Sequence, residues 1–116
     1  YVIAQHLSPT HMSMLTTLLS RETSLPVRQV EDGMAVEPAS IYVTPPNADV
    51  VFQQGLFRLQ PPSERGPKPS IDTLLYSLAR AIPERTIAVI LSGSGSDGSM
   101  GARQLKNAGG YLIVQE

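Results

Sequence analysis

Cysteine and tryptophan are absent from the sequence, and aromatic residues are few. The absence of cysteine excludes disulfide bonds, thiol catalysis and cysteine-based zinc sites, and it is compatible with a reducing cytoplasm, where we expect the protein to act. With four tyrosines and two phenylalanines in 116 residues, the chain has little of the aromatic surface on which nucleic-acid bases stack. No apolar run approaches the roughly 20 residues that a membrane span requires, so we expect no direct membrane insertion.

An excess of charge of either sign is also lacking. Nine Lys and Arg residues face ten Asp and Glu residues, which gives a net charge of −1. A basic face for phosphates is therefore not indicated, and nucleic acid is not an expected partner. The hydrophobic fraction of 41% predicts a packed core, and the length fits one small domain over residues 1–116. Because the chain opens and closes on strand-like segments, we expect this domain to be truncated at both ends.

The sequence that is present alternates apolar strands with amphipathic helices. We predict strands over 1–5, 27–30, 41–43, 86–91 and 111–115, and a β-hairpin over 50–59. We predict helices over 9–21 and 98–107, and between them a helix that Ser70 caps and that ends before Pro83. Apolar strands between helices indicate a doubly wound α/β fold, with a mostly parallel sheet, helices on both faces and an antiparallel hairpin. In such folds the chemistry lies beyond the carboxyl ends of the strands.

One such strand end carries the segment Gly93-Ser94-Gly95-Ser96-Asp97-Gly98. Its G-x-G-x-x-G spacing is that of a dinucleotide-binding turn. Asp97 disfavours this interpretation, because a carboxylate would stand where the pyrophosphate binds. Two other interpretations of Asp97 are possible: an N-cap for the helix that follows, and a carboxylate that orients a catalytic histidine. The residues alone leave these alternatives open.

His6 also follows a strand end, and it is the histidine that Asp97 would orient. The alternative is a histidine without a chemical role. His11 lies nearby in the sequence but inside a predicted helix, and with no third ligand we expect no metal site. None of the serines lies in a G-x-S-x-G elbow, and those beside Asp97 are too close to it to reach the far nitrogen of the same histidine. A nucleophile is therefore either absent or outside this chain.

Two further carboxylates are interpreted structurally. Asp72 lies in the first turn of a predicted helix, where a negative charge is favourable. Asp32, next to the turn residue Gly33, is interpreted as a solvated charge, as are Arg28 and Glu31.

Several segments occur in the order found in one enzyme family. They are Ala4-Gln5-His6-Leu7, Glu31-Asp32-Gly33-Met34, Ile41-Tyr42-Val43-Thr44-Pro45-Pro46, Pro69-Ser70-Ile71-Asp72, Ile90-Leu91-Ser92-Gly93-Ser94-Gly95-Ser96-Asp97-Gly98, Ala108-Gly109-Gly110 and Val114-Gln115-Glu116. Over its whole length the chain resembles the catalytic domain of CheB-type chemotaxis protein-glutamate methylesterases. The wording His6-Leu7-Ser8-Pro9 and Pro45-Pro46-Asn47 is closer to versions fused to a CheR-type receptor methyltransferase.

The resemblance implies a Ser-His-Asp triad in which His6 is the general base and Asp97 orients it, with the serine in a segment before Tyr1. It also implies that the backbone N–H of Ser94, where the family usually has methionine, contributes to the oxyanion hole. The implied reaction is hydrolysis of γ-glutamyl methyl esters on the cytoplasmic helices of methylated chemoreceptors, without cofactor or metal. Without its serine, the chain by itself is expected to be inactive. The alternatives are a non-enzymatic regulatory module of a chemotaxis-like signalling protein and a nucleotide-binding α/β domain that uses Gly93–Gly98.

Overall fold

A computed structural model describes residues 1–5, 14–62, 70–91 and 97–115. The elements are β1 (Val2–Ile3), α1 (Leu15–Glu22), β2 (Val27–Gln29), β3 (Ile41–Val43), β4 (Asp49–Gln53), β5 (Leu56–Gln60), α2 (Ile71–Ala81), a 3-10 turn (Pro83–Arg85), β6 (Ile87–Ile90), α3 (Ser99–Asn107) and β7 (Tyr111–Val114). Strands β1, β3 and β2 pair in parallel in that order, and so do β6 and β7, whereas β4 and β5 pair antiparallel. The predicted α/β fold with mostly parallel pairing and an antiparallel hairpin is confirmed.

The element boundaries differ from the prediction mainly at the first strand and the first helix. Strand β1 covers two residues rather than five. Within the described residues the first helix begins at Leu15 and ends at Glu22, and its predicted start at Pro9 lies outside them. Helices α2 and α3 follow the prediction closely, since Ser70 is the N-cap of α2 and α3 ends at Asn107.

The hairpin β4–β5 turns at Gln54 and Gly55. Both residues have positive φ angles, 52° and 79°, as a two-residue type I′ turn requires. The preceding loop attaches to the hairpin through Asp32, whose Oδ1 accepts the N–H of Leu59 at 2.9 Å. Asp32 is exposed, as expected, and its carboxylate also binds the backbone of β5 in the hairpin.

Two hydrophobic clusters meet on helix α2. Leu74 belongs to the cluster formed with the hairpin and the β1–β3–β2 sheet, while Leu75 belongs to the cluster formed with α3 and β6. Leu78 is partly buried and packs against both clusters. Ser77 ties the helix to the hairpin, because its Oγ accepts the N–H of Phe52 at 2.8 Å and donates to the Leu74 carbonyl at 2.7 Å. Helix α2 is therefore the element around which both halves of the core are arranged.

Helices α2 and α3 touch at Gly101. A Cβ atom on Gly101 would lie 2.6 Å from Cβ of Leu75 and 3.1 Å from the backbone of Asp72. These distances are below van der Waals contact, so only glycine permits this separation of the helices. The close approach brings the first turns of α2 and α3 together.

The β6–β7 pair has two unlike faces in the described part of the chain. Ala88 is buried against α2 and α3, and Leu112 packs against the same cluster. The opposite face carries apolar side chains that are more than half exposed: Ile87 (64%), Val89 (54%), Tyr111 (66%) and Ile113 (57%).

Candidate active site

Of the three residues predicted to form the site, the structure describes Asp97. His6 and Ser94 lie outside the described residues, as does His11. Asp97 is half-buried and lies after β6, in the turn that leads into α3. This is the carboxyl end of a parallel strand, where the fold class is expected to carry its chemistry.

The Asp97 carboxylate binds the N-terminus of α2. Its Oδ2 accepts the N–H of Ile71 at 2.7 Å, and its Oδ1 accepts the N–H of Asp72 at 3.1 Å. The first N–H groups of a helix have no partner within the helix and lie at the positive end of its dipole, so an aspartate there is strongly favoured. The capping interpretation of Asp97 was therefore right in kind but named the wrong helix, because α2 begins 26 residues earlier in the chain.

The other two N–H groups at this helix start are also bound. The N–H of Ser70 donates to Oδ1 of Asp49 at 2.7 Å, and that of Thr73 donates to Oγ of Ser70 at 3.2 Å. Asp49 is only 4% exposed, so two carboxylates from separate segments converge on one helix end. The predicted Ser70 cap is confirmed, and with Asp97 all four N-terminal N–H groups of α2 have acceptors. Asp97 is consequently held against a rigid helix start.

Asp72 returns the interaction to α3. Its Oδ1 accepts the N–H of Gly98 at 3.0 Å and the N–H of Gly101 at 2.7 Å. The sequence indicated only that the negative charge of Asp72 stabilises the first turn of the helix to which Asp72 belongs. No local pattern indicates its contact with α3, because only the structure shows that the N-cap of α3 is Gly98, which has no side chain to cap the helix.

The backbone at Gly98 requires glycine for two reasons. Its φ angle is 98°, a left-handed conformation that other residues rarely adopt. A Cβ atom would also lie 3.2 Å from Cγ2 of Ile71. The turn that presents Asp97 is thus packed directly against the first residue of α2.

These contacts bear on the nucleotide-binding alternative. A pyrophosphate bound at this turn would need free N–H groups at the N-terminus of α3. Asp72 already occupies those of Gly98 and Gly101, and it adds a negative charge of its own. The strand, turn and helix therefore have the order of a dinucleotide site, but the anion site at the helix start is filled by a carboxylate from within the chain.

The CheB methylesterase family model matches residues 1–116. This chain belongs to the CheB methylesterase family. The resemblance seen in the sequence is thereby confirmed.

Two relatives from Myxococcus xanthus extend this result. A protein-glutamate methylesterase/protein-glutamine glutaminase 3 is 39% identical over 116 residues, which cover 99% of this chain and 32% of that protein. The protein-glutamate methylesterase FrzG is 34% identical over 114 residues, which cover 97% of this chain and 34% of that protein. This CheB-family chain thus spans about a third of the length of these relatives.

A solved structure agrees with the fold. The catalytic domain of the Thermotoga maritima CheB methylesterase superposes with a TM-score of 0.87 at 33% sequence identity. The match covers 96% of this chain and 61% of the Thermotoga chain.

One further polar group, which no sequence pattern indicated, lies at the same edge of the CheB-family fold. Thr44 follows β3, is 2% exposed, and donates its backbone N–H to the carbonyl of Ile3 at 3.1 Å. Thr44 therefore lies beside the carboxyl end of β1. That strand ends at Ile3, which precedes His6 by three residues in the chain. Its buried Oγ1 has no hydrogen-bond partner in the described part of the structure.

The described residues of this CheB-family chain offer neither a cluster of metal ligands nor a membrane-spanning helix. No group of three or more His, Cys, Asp or Glu side chains is arranged there to hold a metal ion. No helix in the described ranges is long and apolar enough to cross a membrane.

Proposed function

We propose that this chain supplies the histidine and the aspartate of a Ser-His-Asp methylesterase, with His6 as general base and Asp97 as the acid that orients it. The single observation that carries the assignment of Asp97 is its fixed carboxylate, which two N–H groups of α2 hold at the carboxyl end of β6. Membership of the CheB family and the methylesterase names of the relatives support the reaction. The proposed substrates are γ-glutamyl methyl esters on the cytoplasmic helices of methylated chemoreceptors.

The proposed mechanism gives Asp97 a positional and an electrostatic task. Its carboxylate accepts one imidazole N–H of His6, which fixes the tautomer and stabilises the imidazolium. A carboxylate can accept about four hydrogen bonds, so the two contacts with α2 are compatible with a further one from an imidazole. The other imidazole nitrogen takes the proton of the serine as the serine attacks the ester carbonyl. Methanol then leaves with that proton, and water hydrolyses the acyl-enzyme.

Two further parts of the site belong to the proposal. The backbone N–H of Ser94 would donate to the oxyanion of the tetrahedral intermediate, a role that does not depend on its side chain. The nucleophilic serine is proposed to lie in a part of the catalytic domain outside these 116 residues, which is compatible with a match that covers 61% of the Thermotoga chain. The 116 residues alone are therefore expected to be inactive, and no cofactor or metal is needed. A CheR-type methyltransferase domain fused to the full-length protein is proposed from the segments His6-Leu7-Ser8-Pro9 and Pro45-Pro46-Asn47.

The test measures methanol release from methylated receptor by the full-length protein in the cytoplasmic fraction and after purification. His6→Ala and Asp97→Ala are each expected to lower kcat by about 10⁴-fold, as in other triads of this kind. The matched control is Asp32→Ala, which removes a carboxylate contact to the hairpin backbone instead. Wild-type rates in both site variants would contradict the proposal. Receptor binding without any methanol release would instead support the regulatory module.

A second activity is favoured by the name of the Myxococcus xanthus relative that is 39% identical, which pairs protein-glutamate methylesterase with protein-glutamine glutaminase. The same acyl-enzyme would form from a γ-carboxamide if ammonia left in place of methanol. Ammonia release from receptor glutamines tests this activity. It should fall in parallel with methanol release in the His6 and Asp97 variants, because both reactions would use one triad.

A further inference from the structure

The carboxylates of Asp72 and Asp97 cap two helices reciprocally. Asp97 precedes α3 but binds the N–H groups that begin α2, and Asp72 lies in α2 but binds the N–H groups that begin α3. Each aspartate thus caps the helix at whose N-terminus the other one lies. The reciprocal capping fixes the turn that carries Asp97 against α2.

Asp72 holds Asp97 from two directions. The backbone N–H of Asp72 donates to Oδ1 of Asp97 at 3.1 Å. The side chain of Asp72 accepts, at 3.0 Å, the N–H of Gly98, which belongs to the peptide unit that follows Asp97 directly. One residue therefore fixes both the carboxylate and the main chain of Asp97.

The contact of Asp72 with Gly98 restrains a residue that brings no side-chain restraint of its own to the turn at Asp97. Gly98 has the widest conformational freedom of any residue type, and it provides no side chain to cap α3. The second acceptor contact of Asp72, to the N–H of Gly101 at 2.7 Å, lies one turn further along α3. Two bonds to one oxygen thus clamp the turn and the first turn of α3 as a unit.

We propose that Asp72 is a positioning residue for the esterase reaction, acting through Asp97 and contacting neither substrate nor reacting atoms. This inference rests on the function proposed above. A general base must be aligned to within a fraction of an ångström, and a misplacement of about 1 Å can cost about 100-fold in rate. Loss of the Asp72 carboxylate would free the peptide unit of Gly98 and let the Asp97 carboxylate rotate away from its productive direction.

The test compares two substitutions at Asp72 in the full-length protein. Asp72→Ala removes the acceptor but keeps the backbone N–H that binds Asp97. We expect kcat for methanol release to fall about 10-fold to 100-fold, with KM for the receptor unchanged. Asp72→Asn keeps an oxygen at the same place and is expected to restore most of the rate. The matched control is Asp32→Ala, which removes a carboxylate contact to the hairpin backbone and is expected to leave both constants unchanged.

Amide hydrogen exchange separates positioning from a general loss of structure. In the alanine variant, the amides of Gly98 and Gly101 should exchange faster, because Asp72 is their acceptor. The amide of Phe52, which Ser77 binds on the other side of α2, should keep its protection. If Asp72→Ala does not fold, Asp72→Glu replaces it. Glutamate keeps the charge but displaces the carboxylate, so kcat should fall while KM stays unchanged.

Three results would overturn the inference. One is a wild-type kcat in the folded alanine or glutamate variant. Another is an asparagine variant as impaired as the alanine variant, since charge rather than hydrogen-bond acceptance would then matter. The third is a wild-type enzyme that releases no methanol, which would overturn the proposed function together with the positioning role. An active wild type with an unaffected Asp72→Ala overturns the positioning role alone.

Discussion

Gly101→Ala places a methyl group in the contact between α2 and α3. The new Cβ would stand 2.6 Å from Cβ of Leu75 and 3.1 Å from both Cα and the carbonyl oxygen of Asp72. Carbon atoms pack best about 3.5–4.0 Å apart, so Leu75 and the new methyl group would have to separate by about 1 Å. None of the three atoms is the end of a flexible side chain. The helices must therefore move as a whole.

The expected loss of stability is the difference between two opposing terms. Alanine in a helix interior is favoured over glycine by about 1 kcal/mol. Overpacking costs about 1–3 kcal/mol, and the upper end applies here because backbone atoms cannot rotate away. The net effect is a destabilisation of about 2 kcal/mol, or about 8 °C in Tm at roughly 4 °C per kcal/mol. The sign is opposite to the one that helix propensity alone would give.

Urea unfolding followed by circular dichroism measures this difference. The matched control is the exposed neighbour Arg103 in the same helix, where Arg103→Ala should be more stable than Arg103→Gly by about 1 kcal/mol. A Gly101→Ala protein as stable as the wild type would refute the close helix contact, and with it the geometry by which Asp72 reaches Gly101.

Two more predictions concern hydroxyl groups that are buried or partly buried. Thr44→Val removes a buried hydroxyl that lacks a hydrogen-bond partner among the described residues, so the free energy of unfolding should rise by about 1 kcal/mol. The control Thr86→Val removes a 2.7 Å hydrogen bond to the Ile82 carbonyl and should lower the free energy of unfolding. A lower stability of Thr44→Val would contradict the assignment of Thr44 as unsatisfied. Ser77→Ala leaves the N–H of Phe52 without its acceptor and should lower the free energy of unfolding by about 1–3 kcal/mol. The control Ser20→Ala, at an exposed position, should change the free energy of unfolding by less than about 0.5 kcal/mol. Equal effects of the two serine substitutions would show that Ser77 does not tie α2 to the hairpin.

Local patterns were sufficient for the parts of the fold that local forces determine. The Gln54-Gly55 pair between two strand-like segments predicted the hairpin, and both residues have the positive φ angles that its turn needs. Ser70 predicted the start of α2, because its hydroxyl binds an N–H only three residues away. Such signals lie within a few residues and can be recognised without knowing the fold.

The helix that Asp97 caps was not predictable in this way. Its acceptor contacts link residues 25 and 26 positions apart, and those of Asp72 span 26 and 29 positions. A carboxylate beside a glycine-rich turn satisfies the local capping pattern equally well for the helix that follows it. Only the packing of α2 on α3, permitted by Gly101, decides which helix each aspartate caps.

The reciprocal capping also has a consequence for how the domain folds. Neither α2 nor α3 has its full set of N-terminal acceptors while it is separate from the other, because each depends on an aspartate that the other segment brings. An isolated helix of 11 or 9 residues is marginal in water, so docking and helix completion should occur in one cooperative step. Helices α2 and α3 are then expected to fold and unfold as a unit, and the contacts that hold Asp97 should form only when that unit is complete.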